Sequence, residues 1–327
     1  MLRRLLLPIM LIMPAGVSAI AADAPLVLEA KIPLGQVSGR IDHLAVDVPR
    51  QRLLVAELGN NTLGVVDLAA RKTLRTLGGL SEPQGVGYEP STDTLYIANA
   101  GDGSVRIFKG DDFSPLGGVE LGDDADNVRI DQTRKQVLVG YGKGAIAIID
   151  PATRTKGAEY RLRAHPEGFQ IDGTGTQLFA NVPDTREIAV IDLPNAALRS
   201  AATPGLRSNF PMAVDAETKR ILVVFRDPPM LMAVSSPDTQ FVAKTETCGD
   251  ADDVFADAKR HRVYVICGAG EVDVFEPRGT GYERIAKIPT VSGARTGLFV
   301  PELDRLFVAV RASGGEPPAI WVFRPTP

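Results

Sequence analysis

Acidic, basic and imidazole side chains recur in this sequence at a regular spacing, and together they could bind a metal ion or a small polar ligand. The repeat is marked by anchor positions 41 to 43 residues apart, which are Asp47, Glu89, Asp131, Asp172, Asp215, Asp257 and Val300. Five residues before these anchors stand Asp42, Gln84, Asp126, Glu167, Phe210, Asp252 and Arg295. Carboxylates that converge on one place repel each other, which raises some of their pKa values or recruits a cation.

Two of the three histidines belong to the same segments. His43 directly follows Asp42, and His165 precedes Glu167 by two residues. Oxygen ligands alone suit Ca²⁺ or Mg²⁺, whereas an added imidazole suits Zn²⁺ or another transition metal. No cofactor is firmly implied, although this set could hold a divalent metal such as calcium. The candidate metal ligands are Asp42, Asp126, Glu167 and Asp252.

Arginines in the same segments could instead neutralise the acids and form a polar pocket. Arg226 and Arg311 should end second strands on the same side, where with Asn99 and Tyr141 they could contact an anionic or sugar-like group. The full candidate ligand-binding set is Arg40, Asp42, His43, Gln84, Asp126, Asn127, His165, Glu167, Arg226, Asp252, Asp253, Arg295 and Arg311.

A structural interpretation competes with each of these assignments. Aspartate in a turn accepts hydrogen bonds from nearby backbone N–H groups, with no ligand present. This interpretation is favoured for any single aspartate, whereas a binding site is favoured for the ring of residues as a whole. The anchor aspartates lie at the other end of the same strands and are interpreted as structural.

The spacing itself predicts the elements that would position these residues. Each repeat reads as four short strands separated by turns rich in Gly, Asn, Asp and Pro. Seven such repeats predict an all-β fold, a seven-bladed β-propeller of four-stranded antiparallel blades that forms one domain over residues 22–327. The loops that join blades would then surround one opening of a central channel, and the candidate residues would meet there.

The two ends of the chain predict how the ring closes. The seventh repeat stops after its third strand, whereas Ala30 to Pro33 is identical to Ala286 to Pro289, the outer strand of the sixth repeat. We therefore expect Leu26 to Pro33 to complete the last blade. Closure of this kind removes exposed sheet edges.

The repeat resembles that of a known family. Residues 95–108, LYIANAGDGSVRIF, look like the repeat of the YVTN propellers, and residues 52–56 and 60–67, RLLVA and NNTLGVVD, are similar to it. The resemblance covers residues 22–327 and implies an exported bacterial propeller of the YncE-like type. It implies no particular chemistry, because similar proteins include lactonase-like enzymes and redox subunits. WD-type repeats are disfavoured, because Trp321 is the only tryptophan.

The first 21 residues predict export. Arg3 and Arg4 precede an apolar stretch, Leu5 to Met13, and residues 19–21, AIA, fit a cleavage site. The stretch is too short to span a bilayer, so we expect a periplasmic, monomeric protein without a membrane span. In that compartment Cys248 and Cys267 could form a disulfide, and two separate buried thiols are the equal alternative.

Charge and missing motifs limit the functions that we expect. Export removes two arginines and no acids, which moves the formal charge from −4 to −6 and argues against nucleic-acid binding. The sequence has no Gly-x-Ser-x-Gly, His-Glu-x-x-His or Cys-x-x-Cys-His motif. We expect a non-catalytic protein that binds a small ligand, an ion or an exported protein partner. The alternative is a lactonase-like hydrolase in which the four candidate carboxylates hold a metal and His43 or His165 is the general base.

Overall fold

Seven four-stranded antiparallel sheets make up residues 24–327, the part of the chain that the computed structural model describes. Each sheet is one blade, so the predicted seven-bladed β-propeller is confirmed. The predicted signal peptide, residues 1–21, lies outside the described residues. No helix among residues 24–327 is long and apolar enough to cross a membrane.

The strands follow the sequence repeat closely, and blades are numbered here in chain order. Blades one to three contain β2 (Leu44–Asp47), β3 (Arg52–Glu57), β4 (Thr62–Asp67), β5 (Lys72–Leu77), β6 (Pro83–Glu89), β7 (Thr94–Asn99), β8 (Ser104–Lys109), β9 (Pro115–Glu120), β10 (Ala125–Asp131), β11 (Gln136–Tyr141), β12 (Ala145–Asp150) and β13 (Thr155–Arg161). Blades four and five contain β14 (Phe169–Ile171), β15 (Gln177–Val182), β16 (Glu187–Asp192), β17 (Ala197–Ala202), β18 (Arg207–Asp215), β19 (Arg220–Asp227), β20 (Pro229–Ser235) and β21 (Phe241–Glu246).

The last two blades are completed from both ends of the chain. They contain β22 (Ala251–Asp257), β23 (Arg262–Cys267), β24 (Glu271–Arg278), β25 (Gly281–Pro289), β26 (Gly297–Val300), β27 (Arg305–Val310), β28 (Ala319–Pro325) and β1 (Leu26–Pro33). Two single-turn 3₁₀ helices, Leu58–Asn60 and Pro183–Thr185, interrupt the loops.

Strand β1 closes the ring as the sequence predicts. It pairs antiparallel with β28, and Ile32 lies opposite Ile320. Ile32 is 1% exposed and belongs to a cluster with Val322 and Phe307. The first described strand therefore supplies both hydrogen bonds and apolar contacts to the last blade.

Burial explains why the inner strands are so apolar. All six residues of β7 are buried, whereas four of the six residues of β5 are exposed. Middle strands contact neighbouring blades on both faces, and the outer strand has solvent on one side. The middle strands thus form the packed interfaces between blades, and these hold the inner strands around the axis.

Turns at one end of the inner strands are held by the anchor aspartates. Asp47, Asp131, Asp215 and Asp257 each accept a hydrogen bond from the backbone N–H three residues later, at 3.0–3.3 Å. Asp172 accepts one from Thr176 at 3.0 Å. The anchor aspartates thus stabilise turns, as the sequence predicts. The candidate ligand-binding residues lie at the opposite end of the inner strands.

Cys248 and Cys267 form a disulfide in the structure, with their Cα atoms 5.9 Å apart. Cys248 precedes β22, and Cys267 ends β23, in the sixth blade. Both residues are buried in the cluster between the fifth and sixth blades. The bridge therefore ties the loop entering the sixth blade to that blade's second strand.

Candidate functional site

Bulges in the inner strands direct side chains into one opening of the propeller, here called the mouth. In β6, β10, β18 and β22 the pairing with the next strand shifts near the strand's start, and the residues at these shifts include Gln84, Asp126, Phe210 and Asp252. A bulge places an extra residue in one strand and re-aims its side chain. The spacing of the sequence repeat therefore brings residues from several blades together, and the bulges direct their side chains towards the axis.

Small residues allow neighbouring blades to approach closely beside these bulges. Gly85 has no room for a side chain, because a Cβ there would overlap the backbone carbonyl of Asp126 in the next blade. The N–H of Gly168 donates to the carbonyl of Phe210 at 3.0 Å, again across a blade boundary. The positions of the mouth residues are thus fixed by backbone contacts as well as by side-chain packing.

A cavity of about 260 Å³ lies at the mouth, and almost all of its wall is polar. It is lined by Arg40, His43, Gln84, Asp124, Asp126, His165, Glu167, Phe210, Arg226, Asp252 and Arg295. All but two of these residues are in the candidate set from the sequence. Asp124 and Phe210 are the two residues that the sequence does not single out, although Phe210 holds the same repeat position as Asp126, and Asp124 precedes Asp126 by two residues.

The other candidate residues lie outside this cavity. Asp42 and Asn127 are buried, each 1% exposed, and do not line it, and Asp253 lines a second cavity further along the axis. Arg311 is exposed beside Gly293. Asn99 and Tyr141, the suggested sugar contacts, are engaged elsewhere: Asn99 is fully buried and bonded to Ser81 and Ser104, and Tyr141 is bonded to Glu159 and Lys156.

One side of the mouth is a network of arginines and aspartates. Arg295 contacts Asp250 at 3.0 Å and Asp252 at 2.8 Å, and Arg226 contacts the same two carboxylates. The Arg226 guanidinium also lies 3.9 Å from the centre of the Phe210 ring. Each carboxylate therefore has two cationic partners, and Asp252 is not free to bind a metal.

A second arginine–aspartate pair lies in the first blade. Arg40 contacts Asp42 at 2.7 Å, and His43 is 3.7 Å from the other oxygen of that carboxylate. Burial raises the pKa of Asp42 to about 6, although His43 and Arg40 oppose this shift. Asp42 is thus directed to groups of its own blade and away from a shared metal position.

The remaining side of the mouth brings together Asp126, His165 and Glu167. Their potential ligand atoms all lie within 4.8 Å of one another. The Nδ1 of His165 is 2.7 Å from the carbonyl oxygen of Gly142, so it donates its proton there, and Nε2 faces Asp126 at 3.9 Å. A backbone carbonyl that accepts the Nδ1 proton in this way leaves Nε2 as the atom that could bind a metal.

Two carboxylate groups at this position lack hydrogen-bond partners. Asp126 is 5% exposed, and its Oδ1 has no hydrogen bond within the described part of the chain. Glu167 forms no side-chain hydrogen bond or ion pair with any residue from 24 to 327, and its pKa is raised to about 8 by burial and by the nearby charge of Asp126. Buried polar atoms are normally paired, so the Oδ1 of Asp126 points to a missing partner, and the partly exposed Glu167 carboxylate lies beside it.

Asp126 and His165 are held in their charged forms. Burial alone would raise the pKa of Asp126, but His165, His43 and Arg40 hold it below its usual range. Burial would lower the pKa of His165, but Asp126, the Gly142 carbonyl and Asp124 raise it to about 9. The His165 imidazolium thus supplies positive charge to this group of acids, and a metal ion on Nε2 would take the place of its proton.

Comparisons with known proteins agree with the fold. No protein-family model matches the sequence, and no curated protein matches it. Hydrazine synthase from Kuenenia stuttgartiensis has a similar structure, with a TM-score of 0.76 and 15% identity over 95% of this chain and 98% of that chain. The WD40 repeats of RRP9 give a TM-score of 0.77 at 10% identity, over 93% and 98% of the two chains.

A chain of the mitotic checkpoint complex is similar too, with a TM-score of 0.73 and 13% identity over 94% of this chain and 99% of that one. The protein is a seven-bladed β-propeller. Identities this low show the fold alone, and one propeller fold serves many unrelated functions. The function of this propeller must therefore be inferred from its own mouth residues.

Proposed function

We propose that this propeller binds one divalent transition-metal ion at its mouth through Asp126, His165 and Glu167. The observation that carries the proposal is the buried Oδ1 of Asp126, which has no hydrogen bond within residues 24–327, beside the Glu167 carboxylate and the oriented His165 Nε2. A set of two carboxylates and one imidazole suits Zn²⁺, Mn²⁺ or Fe²⁺ better than Ca²⁺, which takes six to eight oxygen ligands. Of the four carboxylates suggested by the sequence, Asp42 and Asp252 are excluded from this set because arginines bind them.

The rest of the cavity favours a small anionic co-ligand. Three protein ligands leave coordination positions open, and Arg226 and Arg295 line the opposite side of the same cavity. Their guanidinium groups keep further N–H donors beyond those used by Asp250 and Asp252. A volume of about 260 Å³ admits a small molecule and excludes a folded protein segment. We therefore favour a small molecule over an exported protein as the partner at the mouth.

Calorimetric titration with Zn²⁺ and with Mn²⁺ tests the proposal on protein first stripped with a chelator. We expect one ion per chain, and binding at least tenfold weaker in Glu167→Gln, Asp126→Asn and His165→Gln. His261→Gln is the matched control, because His261 is the third histidine and pairs with Glu217 at an exposed turn. Absence of binding, or unchanged affinity in Glu167→Gln with an unaltered circular dichroism spectrum, would refute the proposal.

A metal-assisted hydrolase of the lactonase-like type is the second candidate. The observation that favours it is His43, whose Nε2 lies at the cavity 3.7 Å from Asp42 and 3.9 Å from Asp126. His165 would be a metal ligand, so His43 is the group left to act as a general base on metal-bound water. Metal-loaded protein that opens simple lactones, with His43→Gln at least a hundredfold slower but still binding metal, would support this candidate. No turnover by the loaded protein would leave binding as the function.

We also propose that the protein is a periplasmic, monomeric member of the YVTN (YncE-like) propellers. The repeat residues support the family, and the Cys248–Cys267 disulfide supports an oxidising compartment. Fractionation of bacterial cells that express the full chain should recover it in the periplasm, starting near residue 22. Recovery in the cytoplasm with Arg3 and Arg4 still attached would count against export. Light scattering at the mass of one chain would support the monomer.

A further inference from the structure

Inside the channel, a second ring of residues lies below the mouth. Two residues before each anchor the seven blades carry Ala45, Gly87, Arg129, Gln170, Ala213, Phe255 and Leu298. All but Ala213 line a cavity of about 320 Å³ along the axis. Small and apolar residues are expected here because blades converge towards the axis. A single charged residue, Arg129, therefore stands out in this ring.

Arg129 has no acidic partner within the described part of the chain. No carboxylate oxygen among residues 24–327 forms an ion pair with it, and its one hydrogen bond runs to the backbone carbonyl of Val128 at 2.9 Å. Its guanidinium also lies 5.6 Å from the centre of the Phe169 ring. Burial lowers the pKa of Arg129, and the charges of Asp253 and Asp126 only partly oppose this.

The other polar groups of this cavity already have partners. The Nε2 of Gln170 donates to the carbonyl of Met212 at 3.3 Å. Asp253 accepts a hydrogen bond from the N–H of Gly297 at 2.8 Å and lies 3.8 Å from the Nδ1 of His43. Most of the guanidinium donors of Arg129 thus remain available, since an arginine carries five N–H groups.

Apolar side chains form most of the remaining wall. They come from successive inner strands and include Leu44, Val46, Val86, Val128, Ile130, Phe255 and Leu298. A guanidinium among such groups is costly to bury unless an anion pairs with it. The cavity therefore combines one unused cation with walls that favour an apolar chain.

We propose that the channel is a binding site for a small carboxylate with an apolar tail, held by Arg129. Arginine binds a carboxylate through two parallel N–H donors, and the apolar tail would contact the aliphatic and aromatic walls. This site is separate from the metal site at the mouth. His43 lines both cavities and marks the boundary between them.

Calorimetric titration with hexanoate and with hexanamide tests this proposal on the full mature protein. The two probes share a tail and differ in charge, so their comparison isolates the role of the cation. Arg129→Met removes the charge at similar length, and Arg129→Lys retains it. The control is Arg106→Met, because Arg106 is an arginine on the outside of the second blade that pairs with Asp102 and Glu120.

We expect hexanoate to bind at least tenfold more tightly than hexanamide. Arg129→Met should lose at least tenfold in hexanoate affinity, Arg129→Lys should lose less, and Arg106→Met should bind as the unchanged protein does. Equal binding of the two probes, or no hexanoate binding, would overturn the proposal even if Arg129→Met fails to fold. Glu167→Gln should bind hexanoate normally, so failure of the metal proposal would leave this one standing.

Discussion

At the scale of single residues, the mouth is defined by which carboxylates have partners. Asp42 and Asp252 are paired with arginines, whereas Asp126 Oδ1 and Glu167 are not. This difference depends on separations of a few ångströms between loops of different blades. It decides which residues could bind a cation, and it also leaves Asp253 as a buried acid beside His43.

Asp253 should make the stability of the protein depend on pH. Burial raises the pKa of Asp253 to about 7, above the value of an aspartate in an unfolded chain, although His43 opposes the shift. The stability that its proton contributes is therefore present below about pH 4 and is lost as the pH rises through about 7. Asp253→Asn resembles the protonated acid, so it should exceed the unchanged protein in free energy of unfolding by about 1–2 kcal/mol at pH 8. At pH 5 the difference should be much smaller.

Urea denaturation at pH 5 and pH 8 measures this difference. Asp111→Asn, at an exposed turn, is the control and should change neither value by more than about 0.5 kcal/mol. Equal effects of Asp253→Asn at the two pH values would show that Asp253 does not titrate as described.

The repeat in the sequence predicts the ring of candidate residues but not the role of each one. Asp126, Glu167 and Asp252 all stand five residues before an anchor, so the repeat spacing alone predicts that they meet. The pairing of Asp252 with Arg226 depends on how two blades pack, which no spacing reveals. The sequence predicts that Arg311 ends a second strand and faces the mouth, whereas β27 ends at Val310 and Arg311 lies exposed beside Gly293. The sequence does hold a signal for Arg129, because it is the only charged residue among the seven that stand two residues before the anchors.

At the scale of elements, bulges at the start of the inner strands position the mouth. A regular strand would alternate side chains between the two faces of a blade, whereas the bulges at Gln84, Asp126, Phe210 and Asp252 interrupt that alternation. The period predicts the strands, but a bulge of one residue leaves no sequence pattern of its own here.

Gly85→Ala should disturb the bulge that carries Asp126. The added methyl group would overlap the Asp126 carbonyl, and relief of that overlap requires movement of backbone. We expect a loss of about 1–3 kcal/mol in the free energy of unfolding, as for other overpacked sites. Zinc affinity should fall at least threefold as well. Gly78→Ala is the matched control, because a Cβ there would have no neighbour within 4 Å. Retained stability and zinc affinity in Gly85→Ala would contradict this description of the mouth.

The disulfide should stabilise the sixth blade. Cys248 and Cys267 are separated by 19 positions in the sequence, and closure of such a loop is worth about 3 kcal/mol. Urea denaturation with and without dithiothreitol should show that loss in the unchanged protein. The double variant Cys248→Ala, Cys267→Ala should be equally destabilised and insensitive to reductant. A reductant effect below about 0.5 kcal/mol on the unchanged protein would show that the bridge contributes little.

At the scale of the whole molecule, a strand from the start of the chain completes the last blade and closes the ring. The sequence predicts this closure because residues 30–33 repeat residues 286–289, and β1 has the predicted bounds, Leu26–Pro33. The number of blades also follows from the period. What the period could not reveal is the short length of some inner strands, such as Phe169–Ile171, which depends on local loop geometry.

Contacts of the closing strand should contribute strongly to stability. Ile32→Ala removes a side chain that is 1% exposed and packs with Ile320, so we expect a loss of about 2–4 kcal/mol. Val27→Ala on the same strand changes a residue that is 38% exposed and should cost less than about 1 kcal/mol. Thermal or urea denaturation compares the two variants. Equal effects would mean that the strand does not rely on its buried face.

The most direct test of the metal site is a crystal structure of the protein soaked in a zinc salt, with diffraction recorded on both sides of the zinc absorption edge. We expect one strong anomalous peak at the mouth, about 2.0–2.2 Å from an oxygen of Asp126, the Nε2 of His165 and an oxygen of Glu167. A mouth without such a peak, or a peak held by Asp252 or by exposed residues instead, would contradict it.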